Sequence, residues 1–271
     1  MKIPFGKPLL NSKERKIVSK ILKNNILTHG PYTEKFEKNF AKFTGAPHAI
    51  TTSSCTAGMH LAYHCIGLKK NDEVIVSSQT HVATAHAIEF TGAKPIFIDS
   101  ELKTGNLNID LIEKKINRKT KAIAIVHFLG IPVDMKRIMK IAKKYKLFVL
   151  EDCALSVGAK ISGIHTGLIG DVGVFSFYPV KQMTTAEGGM VITKNKYLAK
   201  KIRSAKAFGY DKSFRFRKTP GIYNVKLLGF NYRMSEIHAG IGIHQLKKVT
   251  NFLKARERNY MYLYNFLKNI K

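Results

Sequence analysis

The stretch KAIAIVHFLGIPVDMKRIMKIAKKYKLFVLED, residues 121–152, holds two apolar runs separated by a segment of helical spacing. KAIAIVH (121–127) and KLFVLED (146–152) are continuously apolar, not alternating, which predicts parallel strands covered on both faces. The segment between them, 134–145, predicts the crossover helix. Working outward, HAITTS (48–53), EVIVSS (73–78) and KPIFID (94–99) read as further strands, with helical spacing over 56–67, 81–91 and 108–116. Strand–helix alternation of this kind predicts a doubly wound, mainly parallel α/β sheet that binds ligands outside the carboxyl ends of its strands. After residue 194 the pattern changes. Residues 209–233 read as a long polar and aromatic loop. A helix is predicted from Ser235 almost to the end, with apolar positions at Ile237, Ile241, Val249, Phe252, Leu253, Tyr260 and Tyr264.

The bulk numbers exclude several classes. At 271 residues with 45% hydrophobic side chains, the chain can bury a sizeable core and is globular. It has no run long and apolar enough for a membrane span, and its N-terminus lacks the apolar core of a secretory signal, so a cytoplasmic location is expected. Three cysteines without CxxC spacing argue against both a disulfide framework and a zinc site; no metal is expected. The net charge of +28 suits anionic partners. Its lysines, however, come as scattered pairs (69–70, 114–115, 143–144, 200–201, 247–248), each expected in a turn or near a helix end, where a cation suits the dipole. Only KSFRFRK (212–218) interleaves aromatic and basic residues, so no specific nucleic-acid role is assigned.

Three groups fall where such a sheet binds ligands. SSCTAGMH (53–60) sets small and hydroxyl residues between a strand and a helix, where free N–H groups suit a phosphate, although this stretch taken alone favours a plain Ser/Thr cap. Glu151–Asp152 closes a very apolar strand, and a carboxylate there needs a cation or proton donor. Lys181 stands alone in GDVGVFSFYPVKQMTTAEGGMVIT (170–193), among apolar, small and hydroxyl residues. Burial lowers a lysine's pKa and frees an amine nucleophile; a structural pairing with Asp152 is the alternative. Phosphate cradle, acid and lone lysine together match the three handles of pyridoxal phosphate.

The order and wording of these segments resemble the DegT/DnrJ/EryC1/StrS sugar aminotransferases of aspartate aminotransferase fold type I, almost end to end. The segments SSCTAGMHLAYH, EDCALSVGA, GDVGVFSFYPVK, EGGMVIT and GFNYRMSEIHAGIGIHQLKK carry the likeness, among others. The resemblance implies the large domain of that fold over 1–234, built on a sheet of the seven-stranded type. It also implies that 235–271 lead into a small domain that this chain leaves largely absent. Lys181 would be the Schiff-base lysine and proton carrier, and Asp152 would hold the ring nitrogen protonated. Ser176, Thr56 and the turn at Ser54 and Cys55 would take the phosphate. His81 would stack on the ring. Asn231 would cross a homodimer interface to the partner's phosphate. The implied reaction moves an amino group from an amino acid, L-glutamate by family habit, to a nucleotide-linked keto sugar, giving an aminosugar for polysaccharide or glycan. A catalytically impaired cofactor-binding or dimerisation fragment is the alternative. A sugar dehydratase of the related branch, which has histidine for the lysine, is disfavoured by Lys181. Cys55, Leu155 and Ala186 depart from the family pattern, the first and last where glycine is common.

Overall fold

The structure is a computed structural model that describes residue 4, residues 6–211, residue 219, residues 221–268 and residue 270. The basic–aromatic KSFRFRK segment, residues 212–218, and residue 220 of the expected loop lie outside the described residues.

The chain opens with α1 (Ser12–Leu22) and α2 (Pro31–Thr44), followed by β1 (His48–Thr52) and α3 (Cys55–Ile66). Next come β2 (Glu73–Ser77), α4 (Val82–Glu89), β3 (Lys94–Ile98), the short α5 (Ile112–Lys115), β4 (Thr120–Val126), α6 (Met135–Tyr145) and β5 (Phe148–Asp152). A hairpin of β6 (Lys160–Ile161) and β7 (Ile164–His165) precedes β8 (Val172–Ser176), β9 (Gly189–Thr193), α7 (Lys196–Ala205) and α8 (Glu236–Leu267). The main sheet has seven strands in the order β1-β9-β8-β5-β4-β2-β3. Only β9 runs against its neighbours.

The five strands and the helices expected between them are present; 108–116 is a 3-10 turn followed by the four residues of α5. Strands β8 and β9 and helices α1, α2 and α7 have no counterpart in the sequence reading. The expected placement of lysine pairs holds for 69–70, 114–115 and 143–144 but not for the other two. Lys200–Lys201 and Lys247–Lys248 stand inside α7 and α8. There they serve contacts instead of a helix end: Lys201 donates to the Cys65 carbonyl at 3.4 Å, and Lys248 pairs with the buried Glu14.

Helices cover both faces of the sheet. On one, Met59 and Tyr63 of α3 and Ile202 of α7 bury against Ile50, Val174 and Val191. On the other, Phe36 and Phe40 of α2 and Ile243 of α8 meet Phe175, Phe177 and Ile192, while Ile138 and Ala142 of α6 meet Ile75, Ile123 and Val149. Phe40 sits 5.1 Å from Phe175 and 5.6 Å from Phe177 in edge-to-face geometry, which aromatic quadrupoles favour. Ser235 caps α8 as expected by accepting from the His238 N–H. The apolar face of α8 is only partly used, however. It packs on the Phe36–Phe40 core through Val249 and the half-buried Leu253, whereas Tyr260 and Tyr264 are exposed and stack on each other at 6.0 Å.

The two glycine substitutions come out differently. Cys55 is the first residue of α3 and has no positive φ, so that position makes no demand for glycine. Ala186 has φ 72°, where a Cβ is strained. Ala186→Gly is expected to stabilise the chain by about 0.5–1 kcal/mol, the relieved strain exceeding the added entropy of the unfolded glycine, as read from thermal or denaturant unfolding.

Candidate active site

The carboxyl ends of β1, β2, β5 and β8 converge on one edge of the sheet, and β9 begins there because it runs the other way. Register fixes the arrangement: Gly189 is paired with Thr52 on one side and Ser176 on the other. A Cβ on Gly189 would lie 2.5 Å from the carbonyl of Ser54 and 2.7 Å from the Cys55 nitrogen. The glycine thus lets a strand pass directly beneath the turn that starts α3.

That turn offers open hydrogen-bond donors. Ser54 spends its hydroxyl as the cap, accepting from the Ala57 N–H at 3.0 Å. The N–H groups of Cys55 and Thr56 and the Thr56 hydroxyl carry no hydrogen bond among the described residues, at the positive end of a 12-residue helix. The stretch is thus capped by one serine, with donors left open at the next two residues. Ser176 is buried at the neighbouring strand end, its hydroxyl accepting weakly from the Tyr178 N–H at 3.4 Å. Cys55 is buried with Sγ 3.8 Å from the Val174 carbonyl; burial first, then the charge of Asp152, pushes its thiol well up, so it is no thiolate.

Asp152 ends β5 at this edge, 4% exposed. It accepts from Thr84 Oγ1 at 2.8 Å and from the Ala154 N–H at 3.0 Å. Burial pushes its carboxyl up, against the pull of those two donors and of the Lys181 charge. No salt bridge to any residue relieves it among the described residues, which removes a structural Lys181–Asp152 ion pair and leaves the carboxylate facing whatever binds the edge. Lys181 sits half-buried in the turn between β8 and β9, its N–H donating to the Tyr178 carbonyl at 3.0 Å. Its charge acts on both Asp152 and Cys55.

The fully confined lysine is a different one. Burial depresses the pKa of Lys206, yet its amine is not a free nucleophile, because it donates to Glu37 Oε1, the Thr51 carbonyl and Thr51 Oγ1 at 3.1, 2.8 and 3.1 Å. His81 is exposed at the N-cap of α4, Nδ1 accepting from the Ala83 N–H at 3.2 Å, and Thr84 of that same helix start reaches Asp152. Asn231 is exposed; its segment bridges to Ala207, and Tyr232 beside it accepts the Ser53 N–H at 2.8 Å.

Sequence reasoning missed Thr84, Gly189 and the role of Glu151. Thr84 stands three residues after the helix-start His81, a spacing that could have placed it over the strand ends. Glu151, fully buried, points away from the edge to the other face. It takes the His127 Nε2–H at 2.9 Å and the N–H groups of Gly167, Ile169 and Gly170 at 2.8, 2.8 and 2.6 Å. Burial opposes its charge, but these donors outweigh burial and hold its carboxyl below the ordinary value. His127 Nδ1 already accepts from the Val133 N–H at 3.2 Å, so the buried His127–Glu151–Cys153 group has its ring lone pair engaged and does not suit a metal ion. No helix among the described residues is long and apolar enough to cross a membrane.

An amine, a buried acid and an open helix start on one sheet edge fit a phosphorylated aldehyde cofactor with a basic ring nitrogen. The sequence pattern of the DegT/DnrJ/EryC1/StrS aminotransferase family matches residues 8–271. The chain belongs to that family. As such it is an aminotransferase, on the fold of its solved relatives. It is 40% identical to the GDP-perosamine synthase of Escherichia coli O157:H7 over 99% of this chain and 71% of that protein. Among solved structures it is similar to PseC of Helicobacter pylori, an aminotransferase involved in the biosynthesis of pseudoaminic acid (TM-score 0.93, 29% identity, 99% of this chain and 71% of that one). It is likewise similar to the PMP form of the putative sugar aminotransferase Spr1654 of Streptococcus pneumoniae (TM-score 0.94, 26% identity, 99% and 73%). The chain thus spans about seven tenths of the length of these relatives.

Proposed function

We propose that this aminotransferase uses pyridoxal phosphate to move an amino group from an amino acid, L-glutamate, to a keto sugar carried on a nucleotide, giving an aminosugar for a polysaccharide or glycan. The observation that carries the reading is the meeting of Lys181, Asp152 and the open start of α3 at one edge of the sheet. The printed activities of the relatives support the sugar substrate.

When bound, the cofactor supplies an aldehyde that captures amines and a ring that accepts electrons. Lys181 Nζ would be the amine that holds that aldehyde carbon, and the same amine would carry the proton between the donor side and the sugar side. Asp152, buried and held by Thr84 and Ala154, keeps a proton on the ring nitrogen. The Cys55 and Thr56 N–H groups with the Thr56 and Ser176 hydroxyls take the phosphate, and His81 covers the ring. Asn231 reaches the phosphate of a second copy. Exposed Val82, Leu129, Ile131 and Tyr178 near the strand ends supply apolar surface for such a homodimer.

The test is an absorbance titration of purified protein with pyridoxal phosphate, followed by L-glutamate and then a nucleotide-linked keto sugar. A visible band that glutamate bleaches and the keto sugar restores is expected. No band would sink the reading.

A further inference from the structure

Deeper than the active edge, Glu37 of α2 lies buried with three partners. Arg203 Nη1 donates to its Oε2 at 2.6 Å, Lys206 Nζ to its Oε1 at 3.1 Å, and the Thr51 N–H and hydroxyl to the same Oε1 at 2.8 and 2.9 Å. Attraction of Lys206 and Arg203 overcomes burial and holds the Glu37 carboxyl below its ordinary value, so the group is ionic. A buried pair of this kind adds little to stability over an apolar replacement of equal volume, and its location must account for it.

Its location is the root of both anion-binding segments. Through Nζ, Lys206 grips the carbonyl and hydroxyl of Thr51, two residues before the phosphate turn begins at Ser53. Through its own carbonyl it accepts the Tyr232 N–H at 3.0 Å, and the Tyr232 carbonyl accepts the Ser53 N–H at 2.8 Å. On the far side of Asn231, the Phe230 N–H donates to the Ala205 carbonyl at 2.7 Å. One residue thus ties together the strand that leads into the turn at Ser54–Thr56 and the segment that presents Asn231. The Lys206 ammonium does not reach the edge itself.

We propose that Lys206, ionised against Glu37, is a positioning residue for phosphate capture. It sets the turn 53–56 and the Asn231 segment in fixed register. The proposal rests on the cofactor reading above. Lys206→Met removes the grip while keeping most of the volume. The dissociation constants of pyridoxal phosphate and of pyridoxal, which lacks the phosphate, are measured by absorbance for both proteins. For the variant, pyridoxal phosphate is expected to bind about tenfold more weakly with pyridoxal unchanged, since displacement of a preorganised turn acts only on the group that the turn holds. Thr51→Val, which deletes one acceptor of Lys206 and one donor to Glu37 but leaves the backbone contacts, is the milder variant should Lys206→Met fail to fold; a selective loss of about threefold is expected. Equal weakening of both ligands, or of neither, would overturn the clamp and mark the pair as a core element only. Wild-type protein that binds neither ligand would instead remove the cofactor reading, and the clamp with it.

Discussion

Lys181→Ala is expected to abolish amino transfer, lowering kcat by about four orders of magnitude or more, because in the proposed mechanism one side chain would both hold the cofactor covalently and move the proton. The effect is large for a structural reason. Among the described residues at the active edge, Lys181 is the lysine whose charge reaches Asp152, and the other buried lysine, Lys206, has its protons committed to Glu37 and Thr51. No other lysine among the described residues acts on Asp152. The measurement is steady-state turnover with L-glutamate, together with the visible spectrum. The variant should still take up pyridoxal phosphate through the phosphate turn, without the lysine-dependent band. Residual turnover within tenfold of wild type would show that another group carries the proton.

The second large effect concerns Glu151, the residue beside Asp152. Glu151→Leu leaves four donors, His127 Nε2 and the N–H groups of Gly167, Ile169 and Gly170, without their acceptor in a buried place. A loss of roughly 3–5 kcal/mol is expected, which for a chain of this size lowers Tm by roughly 5–9 °C. The pH dependence follows from the same group. Its folded pKa is depressed from the ordinary 4.5, so its contribution is complete above that value and fades as the pH falls toward the folded one. Thermal scans of wild type should show this acid sensitivity below pH about 4.5, and the leucine variant should lose that component. A variant as stable as wild type would mean that loop 167–170 finds other acceptors.

Adjacent residues at one strand end therefore have opposite duties, and sequence alone did not separate them. The strand KLFVLED was legible because its apolar run is long, and side-chain alternation then sends Glu151 and Asp152 to opposite faces. Which face is the ligand's depends on neighbours far along the chain: His127 and the 167–170 loop satisfy the first acid, while Thr84 meets the second. Lys181 was legible because it stands alone in apolar and small surroundings. Strands β8 and β9 around it were not, since five-residue buried runs carry no periodicity that distinguishes them from helix segments. The reversed β9 leaves no local trace at all. Lys206 was hidden for the opposite reason. It is one of 46 basic residues, and only the fold, by bringing Glu37 and Thr51 to it, takes it out of solvent.

The pairing of β1 with β9, and of Ser53 with Tyr232, also sets an order of events during synthesis. The phosphate turn belongs to the first sixty residues, yet its floor is Gly189 and its last backbone tether is residue 232. Chain emerging from the ribosome can dock β2 to β5 among themselves as parallel neighbours, while β1 waits for a partner more than 130 residues away, a closure that carries its loop entropy before any contact rewards it. A nascent chain therefore presents this edge unfinished until most of the protein has been made, and on the proposed function cofactor capture would be a post-assembly event, not a nucleus for folding.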